Sequence, residues 1–196
     1  MDSLTWLAHR ARAGDRDALE RLVRATYADV WRLCAGFVDA QSADDLAQEA
    51  FLRAVKALGG FRADAAVRTW LLAIARNTCL DELRSRSRRE SRDRVAHPLP
   101  SLDELAAGDA SGRAVVADLL SRLHPERRDA LVLTQVVGLS YEEAAAVCRC
   151  PLGTIRSRVA RARGDLLALL AEGGHLEEQA WSARAPAERA TVAPGQ

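Results

Sequence analysis

The chain lacks any apolar run long enough to span a membrane. Its opening stretch, "MDSLTWLAHRARAGD", lacks the unbroken apolar core and cleavage site of a signal peptide. A cytoplasmic protein without membrane insertion is expected. Aromatic residues are only 5% of the 196, and no stretch alternates apolar and polar residues between turn signals, which excludes strands and predicts an all-α fold. The four cysteines, Cys34, Cys79, Cys148 and Cys150, offer one C-x-C and no second pair at zinc-ligand spacing, and the histidines are scattered. No metal is expected. Cys34 and Cys79 fall in apolar helical stripes, as small core residues do. A Gly-rich phosphate loop, a nucleophile beside a base and a ligand cluster are all missing, which argues against an enzyme and against a cofactor.

What is present is charge, and it is unevenly placed. The sum of 28 basic and 27 acidic residues is nearly neutral, but "RSRSRRESRDR", residues 84–94, holds six arginines against two acids. Acids gather instead over 39–49 and 103–109. Such segregation says more about partners than the sum does.

Helical periodicity recurs along the chain. Asp15 caps a segment reaching about Phe37, with Leu19, Leu22, Val23, Tyr27, Val30 and Leu33 at helical spacing. Ser42, with Asp45 three residues on, resembles a capping box opening a helix that stops near Gly59. A third helix is predicted from about Ala65 to Arg88. Residues 95–112, "VAHPLPSLDELAAGDASG", hold two prolines and no sustained period, as a linker does. Helices return over 113–123, 125–137 and 141–149, and the last runs from 152 to 170. The expected organisation is two small helical domains, 1–93 and 113–171, on a flexible linker, 94–112. The Ala-, Pro-, Gly- and charge-rich tail, 172–196, is expected to be disordered.

The last helix, "LGTIRSRVARARGDLLALL", is the most informative segment. Ile155, Val159, Ala162, Leu166 and Leu170 form its core stripe at 100° per residue. The opposite crest, Ser157, Ala160 and Gly164, is small, with Arg156, Arg158, Arg161 and Arg163 on its shoulders. Small residues on the crest let a backbone approach a groove floor while guanidiniums reach phosphates or guanine edges. The alternative is a solvated face. Upstream, "GLSYEEAAAVCRCPLGTIRSRVARAR" reads as a helix stop, a capping box (Ser140, Glu143), a short helix, a tight turn and a second helix. With Ala145 where the two helices approach, this is the pattern of a helix-turn-helix; an ordinary helical hairpin is the other reading.

That stretch resembles the promoter-reading region 4 of bacterial RNA polymerase sigma factors of the extracytoplasmic-function (ECF) type, within the sigma-70 family. "ADDLAQEAFLRAVKAL" resembles that family's core-polymerase-binding helix, and "VRTWLLAIARNTCLDELRSRSRR" its promoter-melting helix in region 2. The resemblance spans roughly residues 7–170 in family order. It implies promoter-specific transcription initiation, with region 4 on the −35 element and region 2 on the −10 element. Implied partners are promoter DNA, the clamp coiled coil of the largest polymerase subunit, the flap of the second-largest and an anti-sigma factor. Three positions depart from the family: Arg149 stands at the turn glycine, Val55 at a customary tryptophan and Ala146 at a customary acid. A non-glycine residue in a left-handed turn costs about 1 kcal/mol.

The resemblance and the residues together give three candidate surfaces. Thr154, Arg156, Ser157, Arg158, Arg161 and Arg163 would meet the −35 element. On residues 42–58, Leu46, Ala47, Ala50, Phe51, Ala54, Val55 and Leu58 are expected on the buried side, opposite Asp45, Gln48, Glu49, Arg53 and Lys56. Leu52 sits among those charges, either as an apolar interface anchor or as an ordinary exposed leucine. On the third helix, Leu71, Leu72, Ala75, Cys79 and Leu83 form the core stripe, and Trp70, Ile74, Asn77, Asp81 and Arg84 lie opposite. An indole can stack on a base, an amide can read a base edge and arginines can track a backbone, which suits single-stranded DNA. Trp70 can equally be a core residue against the first helix. The resemblance adds Arg68 to Trp70, Asn77 and Arg84 near the −10 element. The competing functional class is a stand-alone helix-turn-helix regulator of duplex DNA. A helical scaffold with merely solvated arginines is a third.

Overall fold

The computed structural model describes residues 3–63, 65–93 and 109–184, and every regular element among them is helical. In chain order these are α1 (Ser3–Arg12), α2 (Arg16–Ala35), α3 (Ala40–Ala57), a 3-10 turn (Leu58–Gly60), α4 (Val67–Asp93), α5 (Asp109–Ser121), α6 (Pro125–Leu131), α7 (Tyr141–Cys148) and α8 (Leu152–Arg184).

Helices α2, α3 and α4 pack around a stripe of small residues. Ala43, Ala47, Ala50 and Ala54 of α3 let that helix lie close against Val30 and Leu33 of α2 and Leu72 and Ala75 of α4. The Cys34 and Cys79 sulfurs meet inside this layer at 3.6 Å, both fully buried. Helix α1 closes the far end, with Leu7 and Ala8 against Leu22, Leu58, Phe61 and Val67. Arg12 donates to the Phe61 carbonyl at 3.0 Å and fixes its direction. The sequence pattern gave no sign of α1, because its ten residues bury only Thr5, Leu7 and Ala8 among basic neighbours.

Local chemistry sets the helix starts. Asp15 caps α2 through the Ala18 amide at 3.0 Å, as expected. The α3 start differs from the expected capping box at Ser42: Asp39 is the cap, accepting from the Ser42 amide (2.9 Å) and hydroxyl (2.7 Å). A carboxylate accepts from both donors at once, so it displaces the serine as cap and the helix begins three residues earlier.

In the second half, α6 continues into one π-wound turn, Val132–Val136, closed by the Val137 amide on the Val132 carbonyl at 3.0 Å. The chain then turns at Gly138, φ +76°. Helices α6, α7 and α8 pack around Ala130, Leu131, Leu133, Ala144, Val147, Ile155 and Val159. Of the expected α8 stripe, Ile155, Val159 and Ala162 are buried and Leu166 half-buried, but Leu170 is 54% exposed. The helices that α8 packs on have ended there. The helix itself continues to Arg184 rather than ending near 170 as expected, since Leu, Glu, Gln and Ala beyond 174 are strong helix formers that outweigh two glycines at about 1 kcal/mol each. The remainder of the expected tail, 185–196, and most of the expected linker, 94–108, lie outside the described residues. Helix α5 starts at Asp109, four residues before the expected linker ends.

The two halves touch. A single apolar cluster runs from Val30, Leu33 and Phe37 through Leu72 to Val132, Val137 and Leu139.

Candidate nucleic-acid and polymerase interfaces

The α7–turn–α8 unit is built as its sequence dictates. The Ser140 hydroxyl accepts from the Glu143 amide (3.1 Å) and the Glu143 carboxylate accepts from the Ser140 amide (2.8 Å), completing the capping box. Helix α7 ends at Arg149, in the left-handed region at φ 51° and ψ 49°, and the Cys150 amide closes the turn on the Ala145 carbonyl at 3.1 Å. Ile155 and Val159, both fully buried, seat α8 against α7 and α6.

The crest of α8 is open: Ser157, Ala160 and Gly164 are exposed, as are Arg156, Arg161 and Arg163. Arg158 behaves differently. Its side chain is only 19% exposed, pairs with Glu126 at 2.7 Å and donates to the Cys150 sulfur, bracing α8 on α6 and the turn. Arg163 donates to Gln135 at 3.0 Å. Thr154 is half-buried and its carbonyl accepts from Ser157. Thr154, Ser157, Arg158 and Arg161 line a cleft of about 300 Å³ together with His124, Glu126 and Arg127, so four of the six expected −35 residues share one concave surface, and Arg156 and Arg163 lie outside it. His124 and Arg127 went unread in the sequence; His124 immediately precedes α6 and Arg127 lies in its first turn, and only packing brings them to α8. Arg127 is held there by Asp165 at 2.6 Å.

On α3, Asp45 and Gln48 are exposed, Glu49 is half-buried and Leu52 is 57% exposed. Arg53 is only partly outward: it bonds Glu49 (2.8 Å) and reaches Asp81 of α4 (2.9 Å), and these two carboxylates raise its pKa. Val55, expected on the buried side, is 44% exposed. The buried stripe steps from Ala50 to Ala54 to Leu58, and Val55 falls one position past it. Leu52 and Val55 therefore form an apolar ridge among charges. Beside it Tyr27 stacks on Phe51 and donates to Asp44 at 3.1 Å.

On α4 the four expected −10 residues separate. Asn77 and Arg84 are exposed, Arg84 resting 3.3 Å from Asp81. Trp70 is half-buried, its ring 5.0 Å from that of Phe61, so it belongs in part to the core between α1 and α4. Ile74 is half-buried in the same way. Arg68 is engaged on both sides, by Asp29 of α2 at 2.7 Å and by the Val137 carbonyl of the second half at 3.1 Å.

The sequence reading missed Arg76, Arg128 and Asp129. Arg76 of α4 is paired with Asp129 of α6, which is 1% exposed. Arg128 donates to the Gly36 carbonyl at 2.8 Å and lies 5.3 Å over the Phe37 ring. Burial pushes the Asp129 carboxyl above the usual carboxylate range, against the opposing pull of Arg76. Removing either partner would strand a buried charge, so the pair bears on how the two halves meet. The hydrogen bond to Cys34, together with burial, raises the Cys79 thiol, and burial pushes Cys148 up to about 11. For Arg128 and Asp129 the only signal in the sequence was a run of four charges, residues 126–129, leading directly into an apolar stretch.

Comparison with known proteins decides the family. The Sigma-70 region 2 profile matches residues 22–89, and the Sigma-70 region 4 profile matches residues 113–166. The chain is 48% identical over 172 residues to a probable RNA polymerase sigma-C factor of Mycobacterium bovis, covering 85% of this chain and 91% of that one. It belongs to the sigma-70 family, as a sigma factor of the ECF type. It is also 35% identical over 176 residues to the ECF RNA polymerase sigma-E factor of Escherichia coli, covering 80% and 88%. Among solved structures, CnrH in complex with the cytosolic domain of CnrY aligns with a TM-score of 0.70 at 29% identity, over 87% of this chain and 99% of that one. The sigma factor RpoE of Bartonella quintana, solved with the anti-sigma factor NepR, aligns with a TM-score of 0.61 at 26% identity, over 78% and 96%. The sigma factor therefore serves promoter-directed transcription initiation, in a family whose members are not enzymes. Among the described residues no helix is long and apolar enough to cross a membrane.

Proposed function

We propose that this sigma factor docks on core RNA polymerase through the Leu52 ridge of α3, reads a −35 element with α8 and captures the melted −10 strand with α4. The observation that carries the reading is the small crest of α8, with Arg156 and Arg161 exposed on its two shoulders. A backbone can enter the major groove along that crest while the guanidiniums reach guanine edges or phosphates. Asp45, Gln48, Glu49 and Arg53 surround Leu52 as the polar rim of a protein interface, against the clamp coiled coil of the largest subunit. Region 4 meets the flap of the second-largest. Asn77 reads an unstacked base, and Arg84 follows the strand. The functional units are 1–93 and 113–171, joined by 94–112 and followed by the tail, 172–196. The chain acts in the cytoplasm, has no catalytic chemistry of its own and is restrained by an anti-sigma factor.

The test is reconstitution with core polymerase and a promoter library, followed by mapping of start sites. Specific starts are expected from the natural chain and none from Leu52→Glu, which also fails to co-purify with polymerase. Co-purification of Leu52→Glu at normal yield would remove α3 from the interface. No specific starts from the natural chain would overturn the whole reading.

A further inference from the structure

The two shoulders of α8 are built differently. At about 100° per residue, Thr154, Arg158, Arg161 and Asp165 fall on one side of the Ser157 crest, and Arg156, Ala160 and Arg163 on the other. The first side is walled. His124 and Arg127 stand against it, and the cleft of about 300 Å³ lies between them and α8. On the second side Arg156, Ala160 and Arg163 are exposed, and none of them lines the cleft.

The groups in the cleft are arranged for an anion. Glu126 is already paired with Arg158 at 2.7 Å. Both oxygens of Asp165 accept from Nη1 of Arg127, at 2.8 and 2.6 Å, which fixes that guanidinium and leaves its Nε–Nη2 edge without a hydrogen bond among the described residues. That edge carries two parallel N–H groups, the pair that grips a phosphate at two points. Arg161 is exposed and enters no ion pair among the described residues. With the other two arginines matched by Glu126 and Asp165, one positive charge is in excess, which answers the charge of a single phosphodiester.

Shape separates phosphate from base. The major groove is about 12 Å wide and a helix with its side chains about 10–12 Å across, so a helix seated there presses its crest on the base edges and its shoulders on the two strands. A walled recess on a shoulder receives a protruding backbone and cannot reach the groove floor. An open shoulder lets a guanidinium extend to that floor.

We propose that the cleft between α6 and α8 is a phosphate seat: Arg127 and Arg161 grip one backbone phosphate of the duplex, His124 and Thr154 add hydrogen bonds, and the strand so clamped leaves sequence reading to Arg156 across the crest. The proposal rests on the sigma reading of α8 and deepens it, dividing the arginines of that helix between strand and bases. Arg158, held by Glu126 and the Cys150 sulfur, shapes the recess.

The test uses reconstituted holoenzyme on duplex DNA carrying a start site mapped by reconstitution, and on the same duplex with its upstream element scrambled. Arg127→Ala should bind both about tenfold more weakly, the loss expected for a charged hydrogen-bonded contact. It should also flatten the dependence of log affinity on log salt by about one. Arg127→Lys, which keeps the charge, should recover that slope. Arg156→Ala should instead narrow the gap between the two duplexes. Direct contact is read by replacing each upstream phosphate in turn with a neutral methylphosphonate. At one position the replacement should weaken the natural chain about tenfold and Arg127→Ala not at all, while Arg156→Ala shows the full loss. Damage to the fold, or the Asp165 charge freed by the substitution, weakens every duplex alike and cannot produce a cancellation at one position. If no position loses its effect in Arg127→Ala, the phosphate seat is overturned. If the effect disappears in Arg156→Ala instead, the strand lies on the other shoulder and the division of roles is wrong. Absent start sites, or unchanged binding by both Arg156→Ala and Arg161→Ala, remove α8 from DNA and the proposal with it. Weakened binding by those two with Arg127→Ala unchanged overturns the cleft alone.

Discussion

The two helices proposed to meet DNA, α4 and α8, are both rich in arginine, yet their arginines are used differently. On α8, Arg156 and Arg161 face solvent with no carboxylate in ion-pairing range among the described residues, while Arg158 braces the fold through Glu126 and Arg163 rests on Gln135. On α4, Arg68 and Arg76 are committed to Asp29, Val137 and Asp129, and Arg84 rests on Asp81. The cause is placement. Helix α8 buries one face against α6 and α7 and leaves the other empty, whereas α4 is packed by α2 and α3 within its own half and by α7 from the other. If the proposed reading holds, the duplex-facing side of α8 is already open, whereas on α4 Asn77 and Arg84 are open and Arg68 would have to be released.

The comparison breaks most visibly at Trp70. If it is shared between core and DNA, Trp70→Ala should cost about 3 kcal/mol of stability, the low end for removing a large buried aromatic, because the ring is only half-buried against Phe61. In a chain of this size that lowers the melting temperature by about 6–12 °C. Asn77→Ala, on the same helix but fully outward, should stay within about 0.5 kcal/mol. Both should reduce permanganate reactivity of thymines at a start site on duplex promoter DNA. A pre-melted bubble should rescue Trp70→Ala and leave Asn77→Ala impaired. An unchanged melting temperature for Trp70→Ala would make the indole a surface residue after all, and normal thymine reactivity for both variants would take α4 away from melting.

A smaller effect separates the arginines of α8 from one another. Arg156→Ala and Arg161→Ala should each weaken binding of a −35 duplex by about 1–3 kcal/mol if they touch base edges, with relaxed sequence preference. Loss that is uniform across sequences, with a shallower salt dependence, would assign them to phosphates instead. Arg158→Ala should change affinity less and thermal stability by about 1 kcal/mol at most, since its partner Glu126 stays half in water. Equal affinity losses at all three positions would show that Arg158 lets go of Glu126 to reach DNA.

Much of this was legible in the sequence, for physical reasons that mark where reading stops. The capping box at Ser140, the small crest of α8 and the exposure of Leu52 are local facts, fixed by residues within one or two turns, and they stand in the structure as read. Trp70 divided two readings because amphipathic spacing shows which side a residue is on and not what covers that side. Val55 was misplaced by a single position on the helical wheel, at the edge between buried and exposed. Arg76, Arg128 and Asp129 were out of reach altogether: their partners lie 53 and 92 residues away in sequence. No local pattern encodes a docking of two domains. Gly36 is the instructive case, since its glycine answers to Val132 across the interface and to nothing in its own helix.

The smallest expected effect lies in the turn between α7 and α8. Arg149 holds φ 51° and ψ 49°, where an L side chain is crowded against its own carbonyl at a cost of about 1 kcal/mol. Glycine removes that crowding but also loosens the unfolded chain, which takes back part of the gain. Arg149→Gly should therefore stabilise the protein by about 0.5–1 kcal/mol, seen as a rise of roughly 1–4 °C in melting temperature. Gly138, at φ +76°, supplies the control with the opposite sign. A Cβ there meets no atom within 4 Å, so Gly138→Ala should destabilise by about 1 kcal/mol through backbone strain alone. Because the turn sets the angle between α7 and α8, the same variant probes how rigidly the duplex-reading surface is preformed. Unchanged affinity of Arg149→Gly for a −35 duplex means Ile155 and Val159 hold α8 in place by packing. A changed affinity at higher stability means the strained arginine sets the docking angle, and the readiness of α8 is then owed to the turn as much as to the core.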